Sequence, residues 1–394
     1  MKPLEIAKDI FWVGAIDWNI RDFHGYSTNE GTTYNAYLIL DDKITLVDTV
    51  KQEFADSLLE KIAQVVDPRK IDYVISNHTE PDHSGGLPRV MHRIGEDKPL
   101  YCSQMGHKHL SLHFPQKWNY KPVQNGSDLK LGRRTLTFLE TRMVHWPDSM
   151  FTYAKEDRIL FSSDGFGQHY ASTKRFEDEV GEVVMLHARK YFANILLLYS
   201  PLILKLVDKV KEMGLALDMI CPDHGVIWRK DPLRIVNAYV EWSQQKPRRK
   251  ALVVYDTMWH STEKMAEAIV EALHREGVEA KPMHIRRWDR SDIMTEVLDA
   301  GAVIVGSPTL NNGLFPTVSD FLSYMKGLRP IHKIGAAFGS HGWSGEAVKV
   351  ITRELEEAKF DVVDPGLRIQ FVPDGKGIEA CYALGKKIAD ALPK

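Results

Sequence analysis

Apolar and polar positions follow two different rhythms along this chain. Toward the C-terminus, three short runs are apolar throughout: Ala251-Leu252-Val253-Val254-Tyr255, Ala302-Val303-Ile304-Val305-Gly306 and Ile334-Gly335-Ala336-Ala337-Phe338. Each leads into a polar turn and then a helix-like pattern, the first of them the amphipathic stretch Glu263 to His274. A strand without a polar face is buried on both sides, which fits a parallel sheet covered by helices. This alternation predicts a doubly wound α/β domain. The N-terminal part is more mixed. Strand-like runs at Thr33–Leu40, Ile44–Val50, Tyr73–Ile75, Thr135–Glu140 and Ile159–Ser162 interleave with helices and predict an α+β sandwich. The polar stretch Ser243-Gln244-Gln245-Lys246-Pro247-Arg248-Arg249-Lys250 separates the two patterns and reads as a linker. The expected domains are therefore 1–248 and 249–394. No internal repeat or low-complexity segment stands out.

Composition adds mainly exclusions. The 394 residues are 44% hydrophobic and 26% charged, enough apolar material for two cores. A formal net charge of -2, with no block of like charge, argues against nucleic acid or an anionic membrane surface as partner. The segment Met1 to Gly14 lacks the pattern of a signal peptide, and the apolar run Ile195–Leu206 is short and interrupted by Lys205. The expectation is a cytoplasmic protein without a spanning helix. Cys102, Cys221 and Cys381 are far apart and form no Cys-x-x-Cys pair, so disulfides, zinc ribbons and cysteine-ligated clusters are not expected. A fused rubredoxin-like module, which needs two such pairs, is not expected either.

The densest chemistry follows the strand-like run at 73–75: Asn77-His78-Thr79-Glu80-Pro81-Asp82-His83-Ser84-Gly85-Gly86. A single His or Asp here would read as a surface loop or a helix cap. Four such residues within six concentrate charge that water or a cation must neutralise. Imidazole and carboxylate donors without thiolate suit iron, manganese or zinc, and the run alone does not choose.

The pattern His-x-x-x-Asp-His after a strand resembles the metallo-β-lactamase superfamily. Glu80, standing where the zinc hydrolases have a second His, makes the chain similar to the flavodiiron branch of that superfamily. The resemblance implies three further ligands: His145 in Met143-Val144-His145-Trp146-Pro147-Asp148-Ser149, Asp164 in Ser162-Ser163-Asp164-Gly165, and His224 in Cys221-Pro222-Asp223-His224-Gly225. By the family pattern His78, Glu80 and His145 hold one iron, Asp82, His83 and His224 the other, and Asp164 bridges them. The same pattern places His24 and Tyr26, in Asp22-Phe23-His24-Gly25-Tyr26, near the substrate pocket as supporting catalytic residues. The chain departs from the family's Tyr-Tyr-Ala-Asn at Tyr191-Phe192-Ala193-Asn194, which removes a phenol and bears on substrate preference.

In the C-terminal part, three loops at the carboxyl ends of the predicted strands carry hydroxyls, glycines and aromatic rings: Thr257-Met258-Trp259-His260-Ser261-Thr262, Ser307-Pro308-Thr309-Leu310-Asn311-Asn312-Gly313 and Gly339-Ser340-His341-Gly342-Trp343-Ser344-Gly345. Ligands of doubly wound sheets bind at that edge. Simple capping explains Ser261 or Thr262 alone, but three such loops converge on one crevice. No Gly-x-Gly-x-x-Gly follows a strand and no Gly-x-x-x-x-Gly-Lys occurs, so a mononucleotide is favoured over a dinucleotide or triphosphate. The pattern resembles flavodoxin and implies FMN. Thr257 to Thr262 then hold the phosphate, and Trp259, Thr309–Asn312 and Trp343 flank the ring system.

The resemblance covers the whole chain, with the motifs in the family's order. It implies electron transfer through FMN to a non-haem di-iron centre that reduces oxygen to water, nitric oxide to nitrous oxide, or both. It also implies a head-to-tail homodimer, or a dimer of such dimers, and rubredoxin or a similar small redox protein as electron donor. Two rivals remain open on the sequence: a zinc hydrolase with an attached flavodoxin domain, and an electron carrier whose first domain has lost its metal. Iron, zinc or no metal in the protein separates the three.

Overall fold

A computed structural model describes residues 2–394, which form two compact units. One comprises residues 2–24, Thr28–Tyr191 and Pro201–Val240; the other comprises Gly25–Ser27, Phe192–Ser200 and Glu241–Lys394.

The first unit is built on two sheets. The larger has seven strands in the order Leu4–Ala7, Ile10–Trp12, Tyr37–Ile39, Thr45–Val47, Tyr73–Ser76, Pro99–Ser103 and Asn119–Val123. The smaller has five: Asp128–Lys130, Thr135–Glu140, Met150–Ala154, Ile159–Phe161 and Met219–Cys221. Side chains alternate across each strand, so the larger sheet feeds two cores. Tyr37, Ile39, Val47 and Ile75 pack against Phe138, Met150, Ile159 and Phe161 of the smaller sheet. Leu38, Leu46 and Val74 point the other way, onto Leu58, Ile62, Val90 and Met91 of helices Ala55–Val65 and Leu87–Ile94. Each fully buried Val, Leu or Ile contributes ~1.5–3 kcal/mol.

The single strand expected at Thr33–Leu40 is two. Thr32–Tyr34 pairs with Ala15–Asp17, and Tyr37–Ile39 enters the large sheet. Between them Asn35 takes the Trp12 indole N–H at 2.8 Å and donates to the Pro222 carbonyl at 2.7 Å, bonds that sequence periodicity does not register.

The second unit carries the expected doubly wound sheet. Its strands run parallel in the order Glu279–His284, Arg248–Tyr255, Ala300–Gly306, Ile334–His341, with Asp361–Val362 and Leu367–Gln370 both pairing with the last. Helices Ser261–Arg275 and Gly375–Ala391 cover one face, through Met265, Ile269, Leu273, Cys381, Leu384 and Ile388. The polar stretch at 243–250 is only partly a linker. Helix Pro232–Gln244 runs into it, and the first strand begins at Arg248 with Lys250 buried. That ammonium is accommodated because Glu296 and Asp299 accept from it at 2.5 and 2.9 Å.

The helical run Val183–Glu212 extends past the Lys205 that closes the apolar run in the sequence. By length and composition alone it is long and apolar enough to cross a membrane, a test that a buried core helix also passes. Half of its most apolar window is buried inside the protein, which accounts for that character, and α-helix gives way to π and 3-10 turns at Phe192–Tyr199.

Candidate metal centre and flavin crevice

In the first unit, strand ends deliver the ligand candidates. The Tyr73–Ser76 strand stops at Asn77, whose backbone N–H and side-chain amide both donate to buried Asp48 at 2.7 Å. The chain then turns through His78 and Glu80 into the short helix Pro81–Ser84, which carries Asp82 and His83. Asp164 follows strand Ile159–Phe161, His224 follows strand Met219–Cys221, and His145 sits in the loop before strand Met150–Ala154. Gly225 holds the last turn: at φ +81 it is left-handed, and a Cβ there would lie 1.7 Å from Gln168 Oε1.

These seven side chains form two clusters sharing one carboxylate. His78 Nε2 lies 3.2 Å from Glu80 Oε2 and 3.5 Å from Asp164 Oδ2, and His145 Nε2 lies 3.2 and 2.9 Å from the same two oxygens. On the other side, His83 Nε2 is 3.2 Å from Asp82 Oδ2 and 3.0 Å from Asp164 Oδ1, and His224 Nε2 is 3.1 and 3.4 Å from those atoms. Asp164 therefore turns one oxygen to each cluster. The donor atoms of His78, Glu80, His145 and Asp164 lie within 4.8 Å of one another, as do those of Asp82, His83 and His224.

The donor set fits a pair of cations. Glu80, Asp82 and Asp164 are each at most 5% exposed, a concentration of negative charge that a protein interior does not hold alone. Both oxygens of Asp82 and Oδ1 of Asp164 are buried without a hydrogen-bond partner although imidazole nitrogens stand close by. Burial by itself lowers the pKa of His78, His83 and His145, yet neighbouring carboxylates hold all three above the ordinary imidazole value. Burial likewise raises the Asp164 carboxyl, and the surrounding imidazoles outweigh it and hold it well below the usual range. The cavity attracts positive charge, and a metal satisfies that demand by displacing protons.

A supporting layer fixes these rings. Asp148 Oδ2 meets His78 Nδ1 at 3.0 Å and accepts the Thr79 N–H at 2.8 Å, while His109 Nδ1 is 3.4 Å from Oδ1. His224 Nδ1 donates to the Thr33 carbonyl at 2.7 Å, and Asp223 Oδ2 is 3.7 Å from His83 Nδ1. Sequence reasoning gave none of these a role, since nothing local links Asp148 to His78. It also passed over His169, which is buried, meets Thr32 Oγ1 at 2.8 Å and has its ring 4.7 Å from that of His224. Its position five residues after Asp164 was the available signal.

His24 reaches the site: its Nε2 lies 2.7 Å from Glu80 Oε1 with the side chain 69% exposed. Tyr26 is buried and groups with the second unit. Of the Tyr191-Phe192 pair, Tyr191 belongs to the metal unit, its ring 5.0 Å from His169 and 6.0 Å from His224. Phe192 belongs to the other unit, 5.5 Å from Trp242.

In the second unit the three loops enclose a cleft of about 650 Å3 at the carboxyl edge of the sheet. Met258, Trp259, Ser261, Pro308, Thr309, Asn311, Asn312, Ser340, His341, Gly342, Trp343 and Ser344 line it. Thr257, Thr262 and Ser307 are buried, and the Thr262 and Ser340 hydroxyls share a hydrogen bond of 2.8 Å. His260, Leu310, Gly313 and Gly345 shape the loops without lining the cleft. Phe371 and Val372 line it as well and were missed; they follow the Leu367–Gln370 strand, too short and too polar to stand out in the sequence.

The cleft fits a phosphorylated flavin. Helix Ser261–Arg275 begins after His260 in the left-handed region, and no side chain caps it, which leaves its first N–H groups for an anion. Trp259 and Trp343 are 87% and 88% exposed, broad apolar walls for a flat ring system.

Fold and site together define a class: a metallo-β-lactamase-like sandwich with a two-metal cluster, joined in one chain to a flavodoxin-like unit. Comparison with known proteins agrees. The ODP family beta lactamase model matches residues 32–225 and the flavodoxin model residues 253–385. A nitric oxide reductase of Moorella thermoacetica is 48% identical over 393 residues, 98% of either chain. The solved structure of the rubredoxin oxygen:oxidoreductase of Desulfovibrio gigas superposes with a TM-score of 0.97 at 45% identity, covering 99% of this chain and 98% of that one. The flavodiiron protein of Giardia intestinalis gives 0.94 at 37%, covering 99% and 97%. The chain belongs to the flavodiiron protein family.

Proposed function

We propose that this oxidoreductase passes electrons from a small redox protein such as rubredoxin, through FMN, to a di-iron centre that reduces oxygen to water and nitric oxide to nitrous oxide. The observation that carries the reading is Asp164, with one oxygen turned to each of two His and carboxylate clusters. In this reading His78, Glu80 and His145 hold one iron, Asp82, His83 and His224 the other, and Asp164 both. When bound, the irons supply the electrons and the open positions for a diatomic substrate, and FMN supplies single-electron relay. Glu80, within 3.2 Å of both His78 and His145, puts a carboxylate where the hydrolase reading needs a histidine.

The chain's own residues hold and orient. Asp148 keeps His78 Nε2 turned inward by engaging its Nδ1, and the Thr33 carbonyl does the same for His224. His24, exposed at the mouth, donates to Glu80 Oε1 and fixes that carboxylate. In the second unit the uncapped helix start receives the phosphate, and Trp259 and Trp343 flank the ring.

We place the division between metal and flavin domains near residue 248, where the first parallel strand begins, although the compact second unit already takes in the end of helix Pro232–Gln244 from Glu241. The working assembly is a head-to-tail homodimer, or a dimer of dimers, in which one subunit's flavin serves the other's irons; Trp343 and Phe371, 88% and 63% exposed, offer it an apolar rim. The three buried free cysteines suit a cytoplasmic location.

The test is anaerobic stopped-flow of the reduced, iron-loaded protein against oxygen and nitric oxide separately, following flavin reoxidation and products. Rapid reoxidation with water or nitrous oxide as product is the expected result. Slow reoxidation that releases hydrogen peroxide would show the flavin reacting alone and would end this reading.

Asp148→Ala is expected to weaken iron binding about 10–100-fold and to destabilise the protein by about 1–3 kcal/mol, because the Thr79 N–H loses its acceptor. Ser103, which bonds the Asp148 carbonyl, is unaffected. Iron competition against a chelator measures the first effect, and unchanged affinity would remove Asp148 from the site.

A further inference from the structure

The first strand of the second unit ends at Tyr255, and the next residue, Asp256, is completely buried. A buried carboxylate needs partners, and this one draws them from three other places. Oδ1 accepts from Arg286 Nε at 2.9 Å and from the Thr257 backbone N–H at 2.6 Å. Oδ2 accepts from Thr317 Oγ1, at the start of helix Pro316–Leu328, at 2.5 Å. Arg286 belongs to the turn Ile285–Arg287 that follows the neighbouring strand, and its Nη2 also donates to the Thr257 carbonyl at 2.5 Å. One ion pair thus fixes both backbone groups of Thr257.

What it leaves free is the side chain. Thr257 Oγ1 is buried and has no hydrogen-bond partner, on the loop that runs into the uncapped helix start at Ser261. Leaving such a hydroxyl unpaired is unfavourable, and an anionic oxygen bound there would offset that cost. Neither Asp256 nor Arg286 lines the cleft that would receive the ring system.

We infer that the Asp256–Arg286 pair is a positioning clamp that holds Thr257 for the flavin phosphate, and so sets the preference for FMN over unphosphorylated riboflavin. The inference rests on the FMN reading above. Loss of Arg286 acts twice: it releases the Thr257 carbonyl, and it leaves the Asp256 carboxylate uncompensated beside the phosphate position. His284 Nε2, 3.8 Å from Asp256 Oδ1, is too far to take over as a hydrogen-bond donor. Riboflavin, which has no phosphate, feels neither change.

The test uses the full-length apoprotein, titrated with FMN and with riboflavin by quenching of flavin fluorescence, in wild type and Arg286→Ala. The Arg286 side chain is half exposed, so its truncation spares the core. Wild type is expected to bind FMN more tightly than riboflavin, and Arg286→Ala to reduce that ratio about tenfold or more with riboflavin affinity unchanged. An equal loss for both flavins would mean that Arg286 acts on the fold as a whole, and an unchanged ratio that the clamp does not serve the phosphate; either overturns the inference. A wild type that fails to distinguish the two flavins would instead overturn the FMN reading on which it stands.

Discussion

Asp164→Asn is expected to abolish turnover while flavin occupancy stays at the wild-type level. Each oxygen of Asp164 serves a different cluster, Oδ2 lying 2.9 Å from His145 Nε2 and Oδ1 3.0 Å from His83 Nε2. An amide keeps the shape but offers one acceptor oxygen, no charge, and an NH2 group in place of the other oxygen. Disturbing an outer partner alone weakens metal sites about 10–100-fold, so losing the bridge should weaken iron retention by at least about 100-fold. Iron content per chain and turnover with nitric oxide and oxygen measure the two effects. A variant that kept both irons and near-normal turnover would take the bridging role away from Asp164.

Ser261→Glu should do the reverse, emptying the flavin site and sparing the irons. Ser261 lines the cleft at the first position of its helix. A carboxylate there suits the helix dipole, worth about 0.3–1 kcal/mol, so the apoprotein should melt no lower than wild type. Toward a phosphate about 4 Å away the same charge is repelled by roughly 4 kcal/mol per unit charge at an effective dielectric of about 20, enough to weaken FMN by more than about 100-fold. Flavin absorbance after gel filtration reads the outcome, and full retention would place the phosphate elsewhere. The two variants together also test the assembly. In a mixed head-to-tail dimer, the Asp164→Asn subunit supplies the flavin and the Ser261→Glu subunit the irons, so mixing should restore turnover that neither has alone. Transfer confined to one chain predicts no recovery.

Much of this site was legible because its signals are local. Strand Tyr73–Ser76 ends where the apolar run ends, and His78, Glu80, Asp82 and His83 follow within a few residues, so their proximity needed no knowledge of the fold. The loops at 257–262 and 307–313 were found the same way, each directly after an apolar strand, whereas the stretch 339–345 begins inside its strand, which runs on to His341. The family resemblance then joined His145, Asp164 and His224 to the first motif, which no local pattern does. The helical run to Glu212 is longer than the apolar run that marks it in the sequence, because Lys205 interrupts the apolar pattern but not the helix.

By itself, then, the sequence determined where strands such as those ending at Tyr255 and Gly306 stop and which donors follow them, since periodicity, turn chemistry and donor type act over a few residues. Only the tertiary structure decided which oxygen of Asp164 faces which cluster, that Asp148 backs His78 from seventy positions away, that Phe371 and Val372 complete the cleft, and that Arg286 reaches back to Asp256 and Thr257. Those pairings depend on strand order, register and side-chain rotamer, which are set by packing over the whole unit and leave no mark on the residues nearby in sequence.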